Sequence, residues 1–195
     1  TTQRNGSGLS FSPDFLLIWG INQIPEKMET LIHFFEDCVG KYADNVYLLE
    51  KRNNKFGGAT YREVREKVHQ FGAGLIELGV NKGDRIALLA EGRNDWVISE
   101  IGMYYAGVVD VPLSIKLTEP SELKFRLQHS GARFIIASKN QAKKIIPIFK
   151  EINTLEKIIL LDPQATYASH EIYFGDILDS GKEFLKTHEK VFTER

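Results

Sequence analysis

The sequence predicts an α/β fold: a Rossmann-like parallel sheet flanked by helices, preceded by one helix and a β-hairpin. Three observations carry this. Apolar runs at residues 86–90, 108–113, 134–137 and 158–161 begin 22, 26 and 24 residues apart. Each is short and almost wholly apolar, the pattern of a strand buried on both faces of a parallel sheet. The gaps hold helix-period patterns, so the order reads β-α-β-α-β-α-β, with right-handed crossovers expected. The 195 residues, 43% of them hydrophobic, are enough chain for a real core.

Taken in order, residues 1–13 are polar and rich in Gly and Ser, which reads as a flexible leader. The run Phe15-Leu16-Leu17-Ile18-Trp19 is far too short to span a bilayer, which takes about 20 residues. A clean helix pattern begins just after Met28, so residues 1–27 read as a leader or foreign segment. Thr30 is a candidate N-cap. Leu31, Phe34, Phe35, Cys38 and Tyr42 follow on one helical face, which predicts a buried stripe with Cys38 as core filler. Val46 to Leu49 reads as a strand, residues 51–58 as turn material, and Ala59-Thr60-Tyr61 as a returning strand. Tyr61, Val64, Val68, Phe71, Leu75 and Leu78 mark a long amphipathic helix ending at Gly79. Gly72 and Gly74 inside it each cost about 1 kcal/mol relative to Ala, which suggests a close neighbour.

The first helix between strands carries Ile98, Ile101 and Tyr105. The second opens at Thr118 as cap with Pro120 in its first turn. In the third, Pro147 should kink or restart the helix. Beyond Pro163 the apolar pattern weakens, and residues 163–195 read as an irregular segment.

Chemistry-bearing motifs are scarce. Lys plus Arg is 25 against 26 Asp plus Glu, for a net charge of −1, so no global basic field exists to hold nucleic acid. One cysteine excludes an intrachain disulfide and a cysteine-based metal cluster. It also fits a reducing, cytoplasmic setting. No G-x-x-x-x-G-K-[ST] and no G-x-S-x-G occurs. Gly6-Ser7-Gly8 lacks the third glycine, and Gly72-Ala73-Gly74 lies inside a helix. Tyr47 and Lys51 match a Y-x-x-x-K spacing but stand before the sheet, as an edge strand with a solvent-facing lysine. The five histidines His33, His69, His129, His170 and His188 are dispersed. Asp84, Glu91, Asp95 and Asp110 fall near strand ends, where two would have to converge to hold Mg²⁺ or do acid–base work. Asp84-Arg85 is more simply a turn. Asp110 is the odd residue, a carboxylate inside an apolar strand that must be paired or hydrogen-bonded.

An ordered set of segments resembles the front of the adenylate-forming superfamily, which includes acyl-CoA synthetases and peptide-synthetase adenylation domains. The segments are Ala59-Thr60-Tyr61-Arg62-Glu63-Val64, Leu78-Gly79-Val80-Asn81-Lys82-Gly83-Asp84-Arg85, Asn94-Asp95-Trp96-Val97, Tyr105-Ala106-Gly107-Val108-Val109, Val111-Pro112-Leu113 and Ser130-Gly131-Ala132-Arg133. The stretch from Ala87 through Val97 is most similar to the long-chain fatty acid–CoA ligase branch. The resemblance covers roughly residues 30–162. It implies that residues 28–162 form the front of an incomplete AMP-binding N-terminal domain. Residues 163–195 would then lead toward a phosphate loop that this sequence lacks.

The resemblance further implies ATP, Mg²⁺ and CoA as cofactors of the parent enzyme, and fatty acid and CoA as its partners. Its location would be the cytoplasm, with peripheral membrane contact. None of the family's catalytic motifs falls in these residues. No catalytic, cofactor-binding or metal residue is therefore assigned, and the chain alone is expected to be inactive. A cut domain should expose a sheet edge and an apolar face, inviting self-association. The alternative reading is a small self-contained α/β module of flavodoxin-like shape that binds nucleotide or flavin.

Overall fold

A computed structural model describes residues 30–52 and 54–192. The leader at residues 1–27, its apolar run and the proposed start at Met28 lie outside the described residues. Helix α1 (Leu31–Tyr42) begins at Thr30, whose Oγ1 accepts from His33 N at 3.1 Å. The hairpin strands β1 (Val46–Arg52) and β2 (Lys55–Thr60) follow. The hairpin is longer than the sequence suggested. Gly57 and Gly58, read as turn, lie inside β2 opposite Glu50 and Leu49, and Tyr61 opens the next helix instead of pairing.

Helix α2 (Tyr61–Glu77) starts with a reciprocal cap. Glu63 N donates to Thr60 Oγ1 at 3.3 Å, and Thr60 N donates back to Glu63 Oε2 at 2.8 Å. Strand β3 (Arg85–Leu89), helix α3 (Asn94–Tyr105), strand β4 (Val109–Pro112) and helix α4 (Pro120–Ser130) follow. The cap of α4 is Glu119 rather than Thr118, because Pro120 takes the first helical position, where its missing N–H costs nothing. Strand β5 (Phe134–Ala137) leads to α5 (Lys139–Ile145). There the chain tightens into a 3-10 turn, Ile146–Glu151, at Pro147, as the sequence required.

Strand β6 (Lys157–Leu160) comes next. Residues 163–195 then depart from the irregular reading: β7 (Glu171–Tyr173) and α6 (Phe174–Leu185) lie among them. The sheet is wholly parallel, ordered β4-β3-β5-β6-β7. The direction of winding reverses between β3 and β5, the 2-1-3-4-5 order of flavodoxin-like sheets.

Alternate residues of the strands feed two cores. Ile86, Leu88, Phe134, Ile136 and Ile159 pack under α2, α3 and α6. Ala87, Leu89, Ile135, Ala137 and Ile158 pack under α4 and α5. The glycines of α2 are where the helices meet. A Cβ on Gly72 would stand 2.8 Å from Gly102 O of α3, and one on Gly74 would stand 2.1 Å from Ile177 O of α6. No ordinary side chain fits either gap.

The stripe on α1 differs from its expectation. Phe35 is buried, but Leu31, Phe34 and Tyr42 are exposed and Cys38 is half-buried. Leu31, Phe34 and Cys38 border a depression of about 350 Å³ between α1, the hairpin and α3. The apolar face is real, and among the described residues no element covers it. No described helix is long and apolar enough to cross a membrane.

Candidate functional site

In a doubly wound sheet, ligands bind beyond the carboxyl ends of the strands at the point where the winding reverses. Here that point lies between β3 and β5. It is framed by residues 90–94 after β3, Ser138 and Lys139 after β5, and Asp162 after β6. Two helices, α3 and α5, aim their N-termini at it. Their free N–H groups and positive dipole ends would suit a phosphate.

The protein fills those positions with its own acids. Asn94 N, opening α3, donates to Glu50 Oε2 at 3.2 Å, a carboxylate delivered from the hairpin. Lys139 N, opening α5, donates to Asp162 Oδ2 at 2.8 Å, and Ser138 caps the same helix through Gln141 N at 3.4 Å. Gln141 Nε2 in turn donates to Glu91 Oε1 at 2.7 Å. Burial would raise the pKa of Glu91, but hydrogen bonds from Ser138 and Gln141 outweigh it and hold it below the usual value. Arg93 closes the crevice, donating to Asp162 at 2.8 Å and to Asp95 at 2.6 Å. Burial works against its charge, yet the two carboxylates keep it firmly cationic.

A triphosphate placed here would meet Glu50, Glu91 and Asp162. The crevice does not fit ATP. Nor does it fit Mg²⁺, because a guanidinium occupies the space between the two carboxylates that converge, Asp95 and Asp162. No group of three or more His, Cys, Asp or Glu among the described residues could hold a metal ion.

The other residues singled out in the sequence are scattered. Asp84 sits in the turn before β3, accepting from Asn81 N at 2.8 Å and pairing with Arg133. Asp110 lies on the edge strand β4 beside Glu100 of α3. Tyr47 stacks on Tyr61 with ring centroids 4.3 Å apart, and Lys51 lies over the Phe56 ring. The Y-x-x-x-K spacing thus belongs to an edge strand, as expected.

One cluster escaped the sequence reading. Glu36 of α1 accepts from Arg65 Nε at 2.7 Å, lies 3.1 Å from His69 Nε2, and also takes the Tyr105 hydroxyl. Desolvation pushes its pKa up, but these partners overcome it and bring the group down to about 2. The same contact and burial drive the Tyr105 hydroxyl well above its usual value. Phe192 packs over both rings, its centroid 5.4 Å from His69 and 5.2 Å from Tyr105. The cluster joins α1, α2, α3 and residue 192 around the Glu36 carboxylate, which makes it a fastener.

Replacing Glu36 with Gln should cost about 1–2 kcal/mol in urea unfolding at neutral pH. The loss should shrink as pH falls from about 4.5 toward 2. A folded-state pKa below the unfolded one supplies stability above the unfolded value and surrenders it on acidification.

The profile of the AMP-binding enzyme family matches residues 35–187. The chain belongs to the AMP-binding enzyme family. Long-chain-fatty-acid–CoA ligases of Escherichia coli O157:H7 and Yersinia pestis are 30% and 31% identical to it over 164 residues, covering 83% of this chain and 26% of each relative. Among solved structures, the coronafacic acid ligase of Pectobacterium brasiliense superposes with a TM-score of 0.69 at 20% identity, over 76% of this chain and 29% of that one. A long-chain-fatty-acid-CoA ligase from Archaeoglobus fulgidus superposes at 0.67 and 16%, over 77% and 30%. These likenesses establish the fold of this chain as that of acyl-CoA ligase N-terminal domains. The chain spans about a quarter of the length of the curated relatives it matches.

Proposed function

We propose that this chain is the leading scaffold of a long-chain fatty acid–CoA ligase. The complete enzyme would use Mg-ATP to form an acyl-adenylate and then pass the acyl group to CoA, in the cytoplasm. The observation that carries the scaffold role is the acid-filled crevice. Glu50 and Asp162 take the helix-opening N–H groups where a phosphate would have to bind, and Glu91 adds a third negative charge beside them, so the chain has a nucleotide-binding shape without a nucleotide-binding surface. The ligase role is supported by the identity to bacterial long-chain-fatty-acid–CoA ligases over most of this chain. Among the described residues β4 and β7 are the edges of the sheet, the surfaces through which isolated copies would self-associate.

ATP–pyrophosphate exchange by the 195-residue chain with a long-chain fatty acid tests the reading. The expected rate is the buffer blank. Exchange that depends on the fatty acid would overturn the scaffold role.

The strand order favours one other reading, a self-contained flavin or nucleotide module. Calorimetry with FMN and with ATP separates the two. The acids at both helix N-termini predict no saturable heat.

A further inference from the structure

The depression between α1, the hairpin and α3 has a chemical character of its own. Its walls are largely aromatic, from Phe34 and Phe35 of α1, Tyr47 of β1, Tyr61 of α2 and Tyr104 of α3. Tyr47 stacks on Tyr61 with centroids 4.3 Å apart, and Phe35 lies tilted against Tyr47 at 6.0 Å, so these rings hold one another in place. At about 350 Å³ the space falls within the range of small-molecule sites, roughly 300–1,000 Å³.

Among the lining residues only Glu100 of α3 carries a full charge. Its Oε1 accepts from the Tyr104 hydroxyl at 3.3 Å, and the carboxyl group lies in hydrogen-bond contact with Asp110 of β4. Among the described residues neither acid has a cationic partner. In this they differ from Glu36, Asp84 and Asp162, each of which meets an arginine. Asp110 Oδ1 is also buried without a hydrogen-bond partner. Two acids lacking a counter-ion, beside an aromatic wall, complement a cation with an apolar body. Ring faces attract such a cation through their quadrupoles, the more so where water is excluded. The same acids would repel a carboxylate, so the depression does not suit the head of a fatty acid.

We infer that the depression between α1, the hairpin and α3 binds an organic ammonium ion carrying an apolar group, with Glu100 as its counter-ion. The inference is independent of the ligase reading, since no fatty acid, ATP or CoA enters it.

Calorimetric titration of the 195-residue chain with 2-phenylethylammonium at pH 7.5 tests it, with 2-phenylethanol as the uncharged analogue of similar shape. The amine should bind at least about tenfold more tightly than the alcohol. Glu100→Gln should weaken the amine about tenfold and leave the alcohol unchanged. Leu31→Ser, at the exposed rim, should weaken both alike. Far-ultraviolet circular dichroism checks that the variants fold.

A change of pH tests the same charge in the unaltered protein. The titratable groups that face Asp110 are Glu100 and Tyr104 of α3, while β3 sets Ile86 in register with it. With a pKa raised to about 6, Asp110 holds its proton at pH 5 and has lost it at pH 7.5. A primary amine, like lysine with a pKa of about 10, stays charged at both. The amine should therefore bind severalfold more weakly at pH 5, and Asp110→Asn should abolish that difference. Equal affinity for amine and alcohol, no saturable heat with the amine, amine binding unchanged by Glu100→Gln, or amine binding independent of pH would overturn the inference.

Discussion

Replacing Gly181 with Ala should remove about 3 kcal/mol or more of stability, seen as a lower urea midpoint and loss of cooperative unfolding. A Cβ there would stand 1.8 Å from Gln70 O and 2.5 Å from Gly74 N, both backbone atoms of α2. No rotamer relieves such a contact. Helix α6 would have to lift off α2, opening the seam formed by Phe71, Leu75, Phe174 and Ile177. Domains of this size hold only about 5–15 kcal/mol in total, so a single methyl group spends a large share. Gly40 of α1 is the control. Nothing lies within 4 Å of the Cβ it would gain, so Gly40→Ala should stabilise by about 0.5–1 kcal/mol through reduced backbone freedom of the unfolded chain. Equal effects at the two sites would mean that α6 is not seated as described.

The second large effect is expected at Asp110. Burial, and after it the Glu100 carboxylate, raise its pKa to about 6 from an ordinary value of 3.8. Its Oδ1 is buried without a hydrogen-bond partner. Tyr104 donates to Glu100 at 3.3 Å, and burial with the nearby acids lifts its own pKa to about 12. The folded chain therefore holds a proton on Asp110 that the unfolded chain has already released. Stability from this group is complete below about pH 4 and drains away as pH rises to about 6. Asp110→Asn keeps the shape and a donor toward Glu100 but cannot ionise. It should gain about 1–2 kcal/mol over the parent at pH 7.5, a figure reduced for the site's partial exposure, and nothing at pH 4. The Glu36 step runs in the opposite direction and lies at lower pH, so the two can be separated in one titration. A variant with the parent's slope between pH 4 and 6 would show that the proton sits elsewhere.

Much of the architecture was legible because it depended on local pattern. The four apolar runs became β3 to β6 within a residue or two. Pro147 restarted its helix, and the α2 glycines met close neighbours. What failed was governed by distant residues. Strand β7 is three residues long and half-buried, and no helix separates it from β6, so the rhythm that revealed the others was broken. Gly57 and Gly58 read as a turn because glycine favours turns, yet an extended partner, Leu49-Glu50, holds them in a strand. The α1 stripe was correctly seen as apolar, but periodicity reveals only that a face is apolar and not what lies opposite it. The same limit hid the crevice. That Glu50 would reach the start of α3, 44 residues on, could not be foreseen from spacing. Asp110 was conspicuous as a lone acid in an apolar strand, while its companion Glu100 looked like any surface residue of a helix.

The seating of α6 on α2 also bears on how the chain is made. Gly74 leaves the ribosome about a hundred residues before Gly181, an interval of roughly 5–20 seconds at ordinary elongation rates. Throughout that time the apolar seam of α2 has no lid. The sheet can assemble strand by strand as it emerges, but one of its two cores must wait for α6 to arrive. Nascent chains halted near residue 170 should be the ones that chaperones hold and proteases cut.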